Sequence, residues 1–137
     1  MNTEIITKAA AATLNGTMSF PEVVRQLLEA GVDYYHVDYV AMRKTFYSTQ
    51  GAVVVTVINF EGLPPVSDHF DSAALRKNIS DSQRNDQPYR DFTRRAMEAG
   101  VQGYYAFLCG KRVTYFGRNG DQHTEWFPGT EPARGTI

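Results

Sequence analysis

Tyr34, His36 and Asp38 alternate through a stretch rich in β-branched and aromatic residues. In a strand they share one face, and Tyr35, Val37 and Tyr39 take the other. Arg43 and Lys44 follow after a short break. A histidine and a carboxylate on one strand face, with an arginine near, could supply a base, its orienting partner and an anchor for an anion. The same residues also fit an ordinary exposed sheet face, closed by a cross-strand pair between Asp38 and Arg43 or Lys44. The candidate site is therefore His36, Asp38, Tyr34 and Arg43, with no nucleophile evident beside it.

Two further groups carry donor atoms. Asp68-His69-Phe70-Asp71 places a histidine between carboxylates, a pattern that suits a metal or proton transfer and equally suits helix capping by Asp68 or Asp71. His123 and Glu125 alternate near the C-terminal end beside Trp126, and join His36 as ligands only if the fold brings them together. The single cysteine, Cys109, excludes an internal disulfide and any multi-cysteine metal site. It closes the apolar run from Tyr104, where a buried structural thiol is expected. No G-x-x-x-x-G-K-S/T loop, H-E-x-x-H helix, G-x-S-x-G elbow or G-x-G-x-x-G fingerprint occurs, which disfavours nucleotide hydrolysis, zincin chemistry and α/β-hydrolase chemistry. No metal site and no cofactor is expected.

These residues need a scaffold, and the chain is long enough to make one. Its 137 residues, 42% hydrophobic and 21% charged, suit one domain with a real core. The net charge of -1 gives no general pull toward nucleic acid or an anionic membrane. The stretch from Asp71 to Arg118 is mildly basic, but its charges alternate in sign as on a solvated helix face. The Ala-rich N-terminal patch is interrupted by Lys8 and Thr13 and too short to span a bilayer, so a cytoplasmic location is expected.

Periodicity then divides the chain. Ile5, Ile6, Ala9 and Ala12 or Thr13 predict a short helix over 3–14, ended by Asn15-Gly16. Ser19 and Glu22 form a capping box for a helix carrying Phe20, Val23, Val24, Leu27 and Leu28 on one face up to Gly31. Three antiparallel strands are expected at 32–40, 43–48 and 52–60. The third is apolar on both faces and should run inside the sheet or beneath a helix. Asp71 caps a helix with Leu75 and Ile79, and the polar stretch 80–87 should end it. Pro88 opens a helix with Tyr89, Phe92, Ala96 and Met97 inward, followed by strands at 101–109, 112–116 and 123–127.

Sliding the chain against itself by 69 positions aligns 20–51 with 89–120 without a gap. The identical pairs include Arg25 with Arg94, Gly31 with Gly100, Tyr35 with Tyr104, Arg43 with Arg112 and Thr45 with Thr114. Identity over this window is roughly a quarter, against roughly one position in sixteen for unrelated segments. Shared helix-glycine-hairpin punctuation would give part of the same match. The expectation is an α+β fold: a mainly antiparallel sheet of about six strands with helices on one side, built as two α-β-β-β pseudo-repeats. Residues 1–128 would form a single domain with the pseudo-repeats at about 19–60 and 88–127, and 129–137 a mobile tail.

Phe20-Pro21-Glu22-Val23-Val24, Glu29-Ala30-Gly31-Val32, Tyr35-His36-Val37-Asp38 and Thr45-Phe46-Tyr47 together resemble the YdfO/YbcV-like family of bacterial and prophage proteins. That domain of unknown function is sometimes labelled a phage envelope protein. The resemblance runs over roughly 19–127. It implies an α+β fold and no established reaction, cofactor or catalytic residue.

The leading functional expectation is a binding or regulatory module for a small molecule or protein, working through the aromatic hairpins and the His36 and Asp38 face. A cofactor-free acid-base enzyme using His36 and Asp38 is the alternative. A weaker one is a phage-linked regulator touching nucleic acid through Arg90, Arg94 and Arg95. Nucleic acid is otherwise not expected as a partner, nor is a membrane, and the chain should be a monomer or homodimer.

Overall fold

The computed structural model describes residues 1–131. It contains four helices, α1 (Thr3–Asn15), α2 (Phe20–Glu29), α3 (Ser72–Arg84) and α4 (Tyr89–Glu98). Its six strands are β1 (Val32–Asp38), β2 (Arg43–Ser48), β3 (Val53–Val57), β4 (Val101–Phe107), β5 (Arg112–Gly117) and β6 (Gln122–Trp126). The strands form one antiparallel sheet in the order β3-β2-β1-β4-β5-β6, so two hairpin meanders meet along β1 and β4. The α+β class and the antiparallel sheet agree with expectation. Residues 132–137, most of the tail expected to be mobile, lie outside the described residues.

Local chemistry explains where the helices begin. The side chains of Asn2, Ser19 and Asp71 accept the backbone N–H groups of Ile5, Glu22 and Ala74, satisfying donors that the first helical turn leaves unpaired. Proline at position 88 takes the corresponding place before α4. Ile6, Ala9, Val23, Leu27, Leu75, Ile79, Phe92, Ala96 and Met97 then bury their side chains against Tyr35, Val37, Phe46, Tyr104, Ala106 and Tyr115 of the sheet. Each large side chain so buried contributes about 1.5–3 kcal/mol. The long connection between β3 and α3 is strapped to the end of α4, because Met97 and Ala99 carbonyls accept the N–H groups of Ser67 and Asp71. Gly100 makes that strap possible: φ is +91°, and a Cβ there would run into the His69 carbonyl.

Four expectations are corrected. β3 lies beneath α1, as one alternative has it, but is an edge strand rather than an interior one, with Val53, Val55 and Val57 at 53%, 55% and 71% exposed. β1 gives its second edge to β4, so among the described residues no strand returns to cover β3. α3 continues to Arg84 through the polar stretch expected to end it, because Asn78 is held inside by the Phe92 carbonyl and Asp81 by Arg95. Phe20 and Leu28 are exposed, since only the Val23 and Leu27 stripe of α2 meets the other layer. Cys109 is also exposed; β4 ends at Phe107, Leu108 takes the last core position, and the thiol falls in the turn.

Candidate functional site

Strand pairing arranges the side of the sheet turned away from the helices into three rungs. The first reads Val53, Tyr47, Tyr34, Phe107, Arg112 and Trp126 across the six strands. Val55, Thr45, His36, Tyr105, Thr114 and Thr124 form the second, and Val57, Arg43, Asp38, Gly103, Phe116 and Gln122 the third. All four expected site residues, His36, Asp38, Tyr34 and Arg43, stand on this face. Sequence alternation alone predicts that for each strand, and the antiparallel register supplies the neighbours.

Ring contacts join the rungs. Tyr34 stacks on Tyr47 with centroids 4.7 Å apart and planes 19° apart, and lies 6.1 Å from Phe107. Tyr105 lies 5.9 Å from Phe107 and meets Phe116 edge-on at 6.1 Å. The His36 ring stacks on Tyr105 at 4.4 Å. Burial holds its pKa below the usual histidine value, with Arg43 adding to the effect and Asp38 opposing it, which favours the neutral ring. The Tyr105 hydroxyl is pushed up by burial and by the neighbouring Tyr47 and Tyr34.

Asp38 spends Oδ1 on the β1–β2 turn, accepting the Val40 and Ala41 N–H groups at 2.9 Å each. Among the described residues no hydrogen bond links it to His36, and Arg43 forms no ion pair although it sits directly across from Asp38. At the far side of the face the Arg112 guanidinium lies over Trp126 at 4.7 Å, and the Thr114 and Thr124 hydroxyls are 3.0 Å apart. There an open groove of about 320 Å³ is lined by Asp33, Tyr34, Phe107, Arg112, Thr114 and Thr124. A larger open cleft, about 570 Å³, lies at one end of the molecule between Tyr39, Val40, Pro64, Pro65, Met97 and Arg118.

The other expected donors are not brought to His36. His123 and Glu125 bond to each other at 2.9 Å on the opposite side of the sheet, paired with Tyr115 and Val113. His69 is exposed in its loop and Asp71 caps α3. Among the described residues no three histidine, cysteine or carboxylate groups gather as a metal site. The arginines of α4 are also engaged: Arg94 with Glu98, Arg95 with Asp81 and Gln87, and Arg90 with the Glu61 carbonyl. They do not form one free basic face.

Lys44 is what sequence reasoning missed. It does not pair with Asp38; it points into the core, only 3% exposed, with its ammonium 4.5 Å from the centre of the Tyr89 ring. No carboxylate partners it among the described residues, and burial pushes its pKa down to about 7. Around it lies a buried tyrosine cluster in which the Tyr89 hydroxyl meets those of Tyr104 at 2.7 Å and Tyr39 at 3.4 Å. Burial drives all three hydroxyls up, Tyr39 to about 12. The signal was present: Lys44 shares its strand face with Phe46, an obvious core residue, and the 69-residue offset matches it to Val113.

A family model described as Protein of unknown function (DUF1398) matches residues 8–124. No curated protein matches the chain. Among the described residues no helix is long and apolar enough to cross a membrane.

Proposed function

We propose, for a chain that belongs to the DUF1398 family of proteins of unknown function, a binding role carried by the open face of the sheet. One observation carries this reading. Tyr34, Tyr47, Tyr105, Phe107 and Phe116 form a connected ladder of rings on a sheet side that, among the described residues, no helix covers. The rings are half-buried against one another, and the outer surface they leave open costs solvation energy that a bound partner recovers; contiguous apolar patches of this kind mark interaction surfaces. His36 belongs to the ladder as a neutral, stacked ring, so its part in this reading is to present a flat, weakly polar surface. The acid-base alternative draws less support, because the carboxylate expected to orient His36 is committed to a turn.

The narrower YdfO/YbcV-like placement, its prophage connection, a cytoplasmic location and an origin by duplication are parts of the same proposal. They rest on the sequence patterns described above.

Trp126, the single tryptophan, stands on this face and reports its occupancy. Titrating the protein with planar aromatic carboxylic acids, such as naphthoate, should change Trp126 emission and shift the amide resonances of the three rungs. Arg112, Tyr34 and Phe107 should respond most, since their groove offers a cation beside two rings. Shifts gathered at the cleft under Pro64 and Pro65, with the rungs silent, would overturn the assignment of the face.

A further inference from the structure

The structure points to a second copy of this chain as the partner of the open face, an inference that rests on the binding role just proposed. We infer that two molecules pack sheet to sheet about a two-fold axis and enclose the three rungs of each.

Coverage is the first argument. The groove beside Arg112 holds a small molecule, but Val53, Val55 and Val57 lie at the opposite edge, five strand spacings or roughly 24 Å from β6. No ligand of groove size reaches them. A partner that covers the valines and the ladder together must itself be a broad, flat, largely apolar surface, and this chain carries one.

Charge is the second. The face presents Arg43 and Arg112 against Asp38, and the whole chain has a net charge of -1. That is too little positive charge for a polyanion and too little of either sign to keep two copies apart.

The rungs are also self-complementary. With the axis across the strands, each strand of one copy faces the same strand of the other, and the first rung meets the third. Val53 then faces Val57, Tyr47 faces Arg43, the Tyr34 hydroxyl faces the Asp38 carboxylate, and Phe107 faces the space above Gly103. The middle rung meets itself, ring on ring at Tyr105 and methyl on methyl at Val55. Aligned sheets cross at roughly 30°, so these matches hold best near the axis, where the ladder is densest. Six strands and three rungs give a footprint of roughly 29 by 20 Å per copy, which with side-chain relief approaches the ~800 Å² per partner of a standard interface.

Sedimentation velocity on the full chain from about 1 μM to about 1 mM tests this directly. A species of twice 15.4 kDa should grow in with concentration. Val55→Lys at the edge and Tyr105→Lys at the centre should each weaken it at least about tenfold, with the far-UV spectrum unchanged. Two variants are needed because pairing of β3 edges alone would be lost in the first and survive in the second. A monomer over the whole range, a dimer that resists both variants, or one that resists Tyr105→Lys alone overturns the inference. The monomeric form, native or Val55→Lys, can then be titrated with naphthoate: rung shifts there keep the binding role and remove only the second copy as partner.

Discussion

The segment α2-β1-β2-β3 and the segment α4-β4-β5-β6 follow the same course with different chemistry at two layers. Their hairpins share a register, with Tyr34, His36 and Asp38 facing Tyr47, Thr45 and Arg43, and Gly103, Tyr105 and Phe107 facing Phe116, Thr114 and Arg112. Each first strand shifts register near its start, between Val32 and Tyr34 or between Val101 and Gly103. Each hairpin turn places a non-glycine residue at positive φ, Met42 at 56° and Lys111 at 57°. In the core layer, however, the first segment buries Lys44 where the second buries Val113. On the open face it shows Val53, Val55 and Val57 where the second shows Gln122, Thr124 and Trp126. Strand pairing tolerates all of these side chains, so the backbone course does not distinguish the segments. Beyond the side chains of the hairpins' open face, what distinguishes them is one charge in the core and one apolar edge outside it, both in the first segment.

The comparison is sharpened most by its shared element. Phe46 and Tyr115 occupy matched core positions, and replacing either by Ala should cost about 3–5 kcal/mol by denaturant unfolding. A loss below about 1 kcal/mol at one of them would show that the two cores are not equivalent.

Next comes the buried charge. Below pH 7 the Lys44 amine is protonated in both the native and the unfolded chain, and the fold bears the full cost of burying it. Between about 7 and 10.5 the native state has released the proton while the unfolded state still holds it. The unfolded state then binds more protons, so stability should climb as pH rises through that window. Above about pH 10 the slope should reverse, because unfolded tyrosines ionise while buried ones such as Tyr39, at about 12, stay protonated. Lys44→Val, the residue of the matched segment, should add about 2–5 kcal/mol at pH 6 and remove the rise between pH 7 and 10. Melts across pH for both proteins check it; parallel curves would show that Lys44 does not bear that cost.

The helices give a smaller contrast. Phe92 of α4 is buried and Leu28 of α2 is 43% exposed. Leu28→Ala should therefore cost less than about 1 kcal/mol, and Phe92→Ala several times more. Equal losses would mean that Leu28 has a partner in solution, as it would if α2 also formed an interface.

The smallest effect is at the centre of the open face, where His36 pairs with Tyr105 across β1 and β4. An NMR titration should place the His36 midpoint below 6.5, the direction set by burial. A midpoint above that value would mean that Asp38 outweighs Arg43 and desolvation, and would bring the acid-base reading forward.

Much of this fold was legible from local rules. The capping oxygens of Ser19 and Asp71, the glycines after three helices and the alternation around Tyr34, His36 and Asp38 act within a few residues, so a linear reading finds them. The failures have separate causes. Val53 to Val57 has the composition of an interior strand, yet its place was decided by which strand β1 chose for its second edge, a pairing between residues about 70 positions apart. Lys44 has the residue type of a surface charge but the strand phase of Phe46, and phase decides which layer it enters. Cys109 was misplaced by two residues of strand length.

By itself, then, the sequence determined the elements, the faces of the strands and the company of the four candidate residues, since helix caps, hydrophobic period and strand alternation are short-range effects. Only the tertiary structure decided that His36 leans on Tyr105 rather than Asp38, that Lys44 lies under tyrosines, and that three valines face solvent. Those outcomes depend on strand order and on how the two layers close. Both are set by the total free energy of burying distant surfaces together, which no window of adjacent residues contains.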